Sequence, residues 1–431
     1  MLALLFACAD PTPPDIVLVS LDTTRTDVVD PETTPILWAL AARGARFTAA
    51  FAHAPTTLSS HASVFTGEDP HGHAVARNGY ALGAAHPVIA ERLTAGGYTT
   101  LGVIGASALA RPMGVDRGFG VWDEKLDHRH EKRHEARAAE VTDRARAALR
   151  KRPRGAPAFL FVHYYDAHAP YQAPAPYTTK WSDPAYTGPF DGSRRAMVAL
   201  ADATRAGTLD PADVAEVRAR YRGEVSYIDA ELGRLLATLD DPYVVVFGDH
   251  GEALGDVPDR PWGHGPDVDP PATRVPLLFA GPGVPAVVID TPVALSDVGP
   301  TVLALAGLRG GIGAGRDLAP LWSGGAFEAR PIFLEATQPH QVERTDGWNN
   351  LAMERGVVSG TWLLLAAPWL GEAPRLGRWA SDTSGVTPNE AATRTTLGAL
   401  LTDWDAAAPP FRPDTSDDTT KAGLRALGYM E

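Results

Sequence analysis

Runs of apolar, β-branched residues alternate with amphipathic segments through the first three quarters of the chain. The runs 15–21 (DIVLVSL) and 243–247 have the unbroken apolar content of buried parallel strands. Around them we predict strands at 46–52, 98–104 and 158–164, and helices at 35–44, 58–65, 87–95, 135–152 and 211–239. This alternation predicts an α/β fold in which helices cover both faces of a mostly parallel central sheet.

The pattern changes towards the C-terminus. We predict further strands at 275–279 and 287–289 and a helix at 297–306, which still follow the α/β pattern. The Pro- and Tyr-rich stretch 169–194 is too long for a simple connection and predicts a lid or rim. After residue 322 we predict a strand at 332–335, a hairpin of 351–358 with 361–366, and helices at 389–404 and 421–427. We therefore expect a main α/β domain at 15–322 and a smaller C-terminal α+β subdomain at 323–431.

The composition suits a folded enzyme with a large core. Of the 431 residues, 45% are hydrophobic and 21% are charged. The net charge is −13, and the basic residues form no long stripe outside the short patch 150–154. These charges argue against nucleic acid or an anionic surface as a partner.

Cys8 is the only cysteine, which excludes a disulfide framework and a cysteine-based metal site. It follows the apolar run 1–7 in a Leu-Phe-Ala-Cys sequence that is similar to a bacterial lipoprotein cleavage box, and a Pro-rich stretch at 11–14 comes next. Residues 1–14 therefore predict an export signal and tether, with Cys8 lipidated and the protein in the periplasm or cell envelope. The alternative is an unstructured start with an incidental cysteine, because the run lacks preceding basic residues.

Acidic residues directly follow two of the predicted strands. Asp22 comes after the first strand, and Asp249 with His250 comes after the strand 243–247. Because the carboxyl ends of parallel strands meet at one edge of a sheet, we expect these side chains to lie close together. Two carboxylates and one imidazole suit a divalent cation, although each residue alone also fits a turn or an ordinary polar contact.

Several segments together resemble the sulfatase family of the alkaline-phosphatase superfamily, in the order in which that family has them. They are DIVLVSLDTTRTD, TLSSHASVFTG, HYYDAHAPY, GDHGEALGD, RVPLLFAGPG, LSDVGPTVLALAGL and LRALGYM. So many ordered matches are far more specific than a single short motif. The resemblance implies an alkaline-phosphatase-like fold with its site at the top of the sheet, and hydrolysis of sulfate or phosphate esters.

In the sulfatases the segment matching TLSSHASVFTG begins with a cysteine that is oxidised to formylglycine. Thr57 stands at that position, so the resemblance implies no formylglycine, because that modification starts from Cys or Ser. It implies instead one divalent metal ion (Ca, Mn, Mg or Zn) bound by Asp22, Thr57, Asp249 and His250, with Thr57 as the metal-activated nucleophile. The family usually has two adjacent acids where this chain has Asp22-Thr23, which argues against calcium.

Further polar residues stand where family members contact the ester. His61 takes the place of the motif arginine, His168 that of the histidine in the D-P-H segment, and His264 that of a common lysine, so we expect these three to be catalytic. The residues expected to bind the substrate are Arg25, Ser60 and Asn78. An alternative is a second metal site formed by Asp166, His168 and His264.

The leading hypothesis is therefore a metal-dependent hydrolase for small-molecule, glycan or lipid esters. A formylglycine hydrate expels sulfate by hemiacetal collapse, whereas a threonine ester must be attacked at sulfur or phosphorus. This asymmetry favours phosphoryl chemistry. The alternatives are a phosphodiesterase, a phosphonate or phosphoryl-transfer enzyme of the envelope, and a non-catalytic homologue that retains the pocket.

Overall fold

The computed structural model describes residues 13–126, 135–257, 261–337, 353–368, 371–379, 390–409 and 414–415. The strands are β1 (Ile16–Leu21), β2 (Ala45–Phe51), β3 (Tyr80–Ala81), β4 (Thr99–Val103), β5 (Val121–Asp123), β6 (Ala158–Tyr164), β7 (Tyr243–Gly248), β8 (Ala253–Leu254), β9 (Trp262–Gly263), β10 (Arg274–Ala280), β11 (Val287–Ile289), β12 (Val293–Ala294), β13 (Ile332–Thr337), β14 (Met353–Ser359), β15 (Trp362–Ala366), β16 (Arg375–Arg378) and β17 (Asp414–Thr415).

The helices are α1 (Pro35–Ala41), α2 (Thr57–Thr66), α3 (Pro70–His73), α4 (Ile89–Ala95), α5 (Ala138–Lys151), α6 (Arg194–Ala206), α7 (Pro211–Leu236), α8 (Pro270–Thr273), α9 (Val298–Leu305), α10 (Pro320–Ser323) and α11 (Glu390–Ala406). The predicted strands and helices are present within a few residues of their expected bounds, but α6 is not among the predicted elements. The predictions for Cys8, for the helix at 421–427 and for the segment LRALGYM lie outside the described residues.

The main sheet confirms the mostly parallel α/β prediction. Its strand order is β11-β2-β10-β7-β1-β6-β4-β5, with β12 also paired to β2. Strand β10 runs antiparallel to both of its neighbours, whereas every other pairing in this sheet of the described residues is parallel. Strands β1, β6 and β7 therefore lie side by side at the centre and end at the same edge.

Two hydrophobic cores cover the two faces of this sheet. Alternate residues of β1 point to opposite faces, so Ile16 and Leu18 pack with α2, α4 and α9, and Val17 and Val19 pack with α1, α5 and α7. Burial of a strand on both faces explains the continuous apolar runs in the sequence.

The predicted C-terminal hairpin is also present. Strands β14 and β15 pair antiparallel, and β13 and β16 extend them to the four-stranded order β13-β14-β15-β16. One face of this small sheet shares a core with Phe51 of β2, and the other packs against Leu397 and Leu401 of α11. Among the described helices, none is long and apolar enough to cross a membrane.

Candidate active site

The carboxyl ends of β1 and β7 place two acids next to each other. Leu21 pairs with Gly248, so Asp22 and Asp249 follow paired positions of adjacent parallel strands, and both are fully buried. The expectation that these strand ends meet is therefore confirmed.

The backbone orients the Asp249 carboxylate. Its Oδ1 accepts hydrogen bonds from the amides of Thr23 at 3.1 Å and His250 at 2.8 Å. Thr23 has a φ of 48°, which is rare for a β-branched residue. Backbone strain of this kind occurs mainly at functional sites. Gly251, two residues after Asp249, has no room for a side chain, because a Cβ would lie 2.0 Å from the carbonyl oxygen of Pro271.

Three buried atoms at this edge fit the donor set of a divalent cation. Oδ1 of Asp22, Oδ2 of Asp249 and Nε2 of His250 have no hydrogen-bond partner among the described residues. His250 donates its Nδ1–H to the carbonyl of Gly251 at 3.0 Å, so the neutral ring presents the lone pair of Nε2 to a ligand. The ligand atoms of Asp22, Asp249 and His250 lie within 4.8 Å of one another. Two carboxylates and a neutral imidazole are suitable ligands for a divalent metal.

The electrostatics of the pair of acids lead to the same conclusion. Burial raises the pKa of Asp22 to about 7, and burial together with the neighbouring Asp22 raises the pKa of Asp249. Burial disfavours the charged form of His250, but the carboxylates of Asp249 and Asp22 raise its pKa overall. Two buried carboxylates side by side need a positive charge between them to remain ionised.

Thr57 is the first residue of α2, and its hydroxyl reaches the same place. Its Oγ1 lies 3.3 Å from Oδ2 of Asp22. All ten residues of α2 are buried, and the helix ends at Gly67 with a φ of 70°. A Cβ at Gly67 would lie 2.3 Å from the carbonyl oxygen of Ile312, so glycine is required there. The core therefore holds Thr57 rigidly beside Asp22.

His61 lies one helical turn after Thr57 and packs beneath it. Its Nδ1–H donates to the Thr57 carbonyl at 2.7 Å, and its Nε2 accepts from the Ser20 hydroxyl at 2.8 Å. Burial lowers the pKa of His61 to about 3, so the ring is neutral. Through these contacts His61 supports the start of α2. A direct catalytic role for His61 stays a prediction.

His163 lies in the site but is not one of the site residues that the sequence predicts. It is in β6 opposite Ser20 of β1, and its Nε2–H donates to Oδ2 of Asp22 at 3.0 Å. Burial lowers the pKa of His163 to about 4, so this hydrogen bond comes from a neutral ring. The available signal was a histidine inside the otherwise apolar run 158–164, because a polar group buried in a central strand needs a partner.

The structure brings His168 and His264 together next to His250. The ring of His264 lies 5.1 Å from that of His168 and 4.4 Å from that of His250, measured between centroids. Burial lowers the pKa of His168 to about 3, and burial and then His250 lower the pKa of His264 well below its ordinary value. Both rings are therefore neutral hydrogen-bonding groups beside Asp22, Asp249 and His250, which we call the metal-type triad.

Asn78 and Ser60 both contact the elements that carry the site. Asn78 Oδ1 accepts from the amide of Leu58 at 2.7 Å, while its buried Nδ2 has no hydrogen-bond partner in the described part of the chain. This free donor at the start of α2 suits an anionic ligand. Ser60 donates its hydroxyl to the carbonyl of Asp249 at 2.6 Å, so it joins α2 to the end of β7. Substrate binding by Ser60 and Asn78 stays a prediction.

Arg25 has its guanidinium group engaged with protein groups. It donates to Asp27 through Nε and Nη2, it pairs with Asp256 at 2.6 Å, and it donates to the carbonyl of Glu252 at 3.0 Å. These contacts join the segment after β1 to the GDHGEALGD segment. They give Arg25 a structural task, so the geometry does not support its predicted contact with substrate.

The alternative second metal site is not assembled. Among the described residues, Asp166 does not form a group of close ligand atoms with His168 and His264. Its carboxylate lies instead 3.6 Å from the Arg137 guanidinium, which is also 3.8 Å from Glu224.

Two other acidic groups of the described chain already contain a cation. Arg355 pairs with Asp405 beside Glu335. Arg375 pairs with Asp269 and Glu354. In both groups the guanidinium takes the place that a metal ion would need.

A mostly parallel sheet with a buried hydroxyl beside two carboxylates and an imidazole at its carboxyl edge fits the class of hydrolases with an α/β fold. The profile of the sulfatase family matches residues 14–308. The chain therefore belongs to the sulfatase family, a family of ester hydrolases.

Two curated relatives match shorter stretches of the chain at higher identity. A multifunctional alkaline phosphatase superfamily protein, PehA, of Trinickia caryophylli is 31% identical over 140 residues, which cover 27% of this chain and 27% of the relative. A choline-sulfatase of Rhizobium meliloti is 34% identical over 102 residues, which cover 22% of this chain and 19% of the relative. The matched region thus spans about a quarter or less of the length of these relatives.

The similarity to solved structures extends over almost the whole chain. A phosphonate monoester hydrolase from Silicibacter pomeroyi superposes with a TM-score of 0.69 at 22% identity, and the match covers 92% of this chain and 96% of the other. At this identity the comparison establishes the common fold. The predicted alkaline-phosphatase-like architecture is consistent with it.

Proposed function

We propose that the protein hydrolyses sulfate or phosphate esters with Thr57 as its nucleophile. The observation that carries the proposal is the position of the Thr57 hydroxyl, 3.3 Å from Asp22 at the N-terminus of a buried helix. A helix N-terminus favours an anionic group, and a hydroxyl that is fixed beside it is placed for in-line attack on a bound ester.

Asp22, Asp249, His250 and Thr57 would hold one divalent metal ion, as the unpaired atoms of the triad suggest. Such an ion, when bound, lowers the pKa of a hydroxyl and balances negative charge on the ester. Two carboxylates with one imidazole suit Mn, Zn or Mg, and the absence of a second acid at Thr23 argues against Ca.

The protein residues then have separate tasks. Thr57 Oγ1 forms the bond to phosphorus or sulfur as the bond to the leaving alcohol breaks, and water later cleaves the threonine ester. Oδ2 of Asp22 is the neighbouring acceptor for the hydroxyl proton. The Asn78 amide and the rings of His168 and His264 hydrogen-bond the oxygens of the ester.

Phosphate or phosphonate monoesters are the favoured substrates within this proposal. A threonine sulfate lacks the hemiacetal collapse that releases sulfate from formylglycine, so its release requires attack at sulfur. A phosphothreonine is released by the ordinary attack of water at phosphorus. The phosphonate monoester hydrolase with the same fold is consistent with this preference.

The test is an assay of the purified protein with 4-nitrophenyl sulfate, phosphate, phenylphosphonate and a phosphodiester, each with Mn²⁺, Zn²⁺, Mg²⁺ and Ca²⁺. We expect phosphorus esters to be cleaved fastest and Thr57→Ala to lose activity by at least about 10³-fold. Thr57→Ser keeps the hydroxyl and should keep part of the activity. Equal activity of Thr57→Ala and the wild type would overturn the nucleophile assignment.

We also propose that the protein is exported and anchored to the envelope through a lipid on Cys8. The proposal rests on the Leu-Phe-Ala-Cys sequence and the proline-rich stretch after it. Labelled palmitate should be incorporated in a bacterial host by the wild type and not by Cys8→Ala. Absence of label from both proteins would contradict it.

A further inference from the structure

Glu252 is a buried carboxylate that links two segments of the site. It lies three residues after Asp249, and it is 2% exposed. Its Oε2 accepts a hydrogen bond from the hydroxyl of Tyr171 at 2.5 Å, and its Oε1 accepts one from Nδ1–H of His264 at 3.4 Å. Its own carbonyl accepts from Arg25. Both carboxylate oxygens therefore have specific partners, and one of them is a histidine of the site.

The contact with Glu252 determines which nitrogen of His264 carries the proton. An ionised carboxylate can only accept, so this contact places an N–H on Nδ1 of His264, and in the neutral tautomer that has this N–H the lone pair is on Nε2. The same ring contacts His250 and His168, so its orientation is set next to the metal-type triad. A ring without Glu252 could rotate, or move its proton to the other nitrogen.

Tyr171 holds the carboxylate in turn. It is fully buried, and it follows the HYYDAHAP segment that carries His168. Its ring packs edge to face on Tyr221, at 5.7 Å between centroids. The chain of contacts therefore runs from Tyr171 to Glu252 and on to His264.

We propose that Glu252 is a positioning residue that sets the tautomer and orientation of His264 towards the ester. The proposal rests on the proposed function, because it assigns His264 a contact with the substrate. Glu252 itself does not contact the reacting atoms; it acts through His264, and Tyr171 keeps it in place.

A double-mutant cycle tests this dependence. We expect Glu252→Ala to lower kcat about 10- to 100-fold with KM within about twofold, a range taken from residues that orient metal-binding histidines in the same way. His264→Ala should lower kcat at least as far, and the double variant should be no slower than His264→Ala alone. If Glu252→Ala remains equally harmful in the His264→Ala background, Glu252 does not act through His264 and the proposal is overturned.

Two tyrosine variants provide a matched comparison. Tyr171→Phe removes the hydroxyl that binds Glu252, so its effect on kcat should also vanish in the His264→Ala background. Tyr221→Phe removes a neighbouring buried hydroxyl that donates to the carbonyl of Thr23 instead. Its effect should persist in that background. Identical behaviour of the two variants would contradict the chain of contacts.

A measurement without turnover separates this proposal from the proposed function. The ¹⁵N chemical shifts of the His264 ring, assigned with His264→Asn, should show the Nδ1–H tautomer in the metal-loaded wild type and its loss in Glu252→Ala. If no ester is hydrolysed but this tautomer depends on Glu252, the positioning role stands and the proposed function fails. If the tautomer is the same in both proteins, the positioning role fails whatever the activity.

Discussion

His163 donates a hydrogen bond from Nε2 to Oδ2 of Asp22 at 3.0 Å, across the paired strands β6 and β1. The contact leaves Oδ1 of Asp22 as the oxygen available to a metal ion. Hydrogen bonds of this kind hold a ligand in one orientation, and their loss typically costs 10- to 100-fold in metal affinity. His163 is therefore expected to support the metal site without binding the metal.

We expect His163→Ala to weaken Mn²⁺ or Zn²⁺ binding about 10- to 100-fold in isothermal titration calorimetry. His53 is a matched control, because it is also buried and hydrogen-bonded through both ring nitrogens, to Phe333 and Ser296. His53→Ala should lower the melting temperature and leave metal affinity unchanged. The same loss of affinity in both variants would show a general effect of unfolding.

Adding a divalent metal should stabilise the protein. At a free concentration of 100 times Kd, one bound ion adds about 2.7 kcal/mol to the free energy of unfolding. Asp249→Asn should abolish this shift in thermal melting, since it removes one of the four proposed ligands. Asp267→Asn changes an acid of the separate Asp267, Asp269 and Glu354 group and should keep the shift. A shift that survives Asp249→Asn would place the metal elsewhere.

Arg25→Ala tests whether Arg25 binds substrate or holds the site together. Its guanidinium joins Asp27, Asp256 and the Glu252 carbonyl, so we expect a loss of about 1–3 kcal/mol in unfolding free energy. KM should change little, because these donors are already used. Urea unfolding and steady-state kinetics measure the two effects. A large rise in KM with unchanged stability would restore the predicted contact with substrate.

The Asp166 carboxylate should make stability depend on pH. Burial raises the pKa of Asp166 from 3.8 to about 7, with Arg137 lowering it and Glu135 raising it. Because the folded protein holds this proton more tightly than the unfolded chain, the contribution to stability is full below pH 3.8 and is lost as pH rises to about 7.

Asp166→Asn removes this titration. Relative to the wild type, the variant should therefore gain stability as pH rises from 4 to 7, as measured by urea unfolding at several pH values. Asp30 is the control, because hydrogen bonds from Thr33 and Glu32 and the charge of Arg222 outweigh burial and lower its pKa. The stability difference between Asp30→Asn and the wild type should stay constant between about pH 5 and 7, because Asp30 is ionised in both the folded and the unfolded protein there. A constant difference for Asp166→Asn as well would contradict the prediction.

The sheet and its order of elements could be predicted because each central strand is buried on both faces and therefore reads as an apolar run. The direction of β10 could not, since an apolar run looks the same in either direction. The helix α6 is not among the predicted elements; it is mostly exposed and buries only Leu200. The C-terminal hairpin was predictable from its turn at Ser359-Gly360.

The site was predictable where its residues end strands. Asp22 and Asp249 directly follow strands, so local pattern is sufficient to select them, whereas Thr57 is selected by the resemblance of its segment to the sulfatase motif. His163 lies inside β6, and its role depends on the register with β1, which the sequence does not display. Arg25 is expected from sequence to bind substrate, and its contacts with Glu252 and Asp256 are not displayed by the sequence because these residues lie far along the chain.

The complete burial of α2 has a consequence for how this protein can change. The helix that begins with Thr57 is also part of the interior that keeps the sheet folded. Random mutations there would reduce soluble yield and turnover together, so screens for activity alone would confuse the two. Libraries that aim at new substrates should leave residues 57–66 and the buried Tyr171 and Phe190 intact, and vary exposed positions of the stretch 169–194 such as Thr179, Asp183 and Thr187.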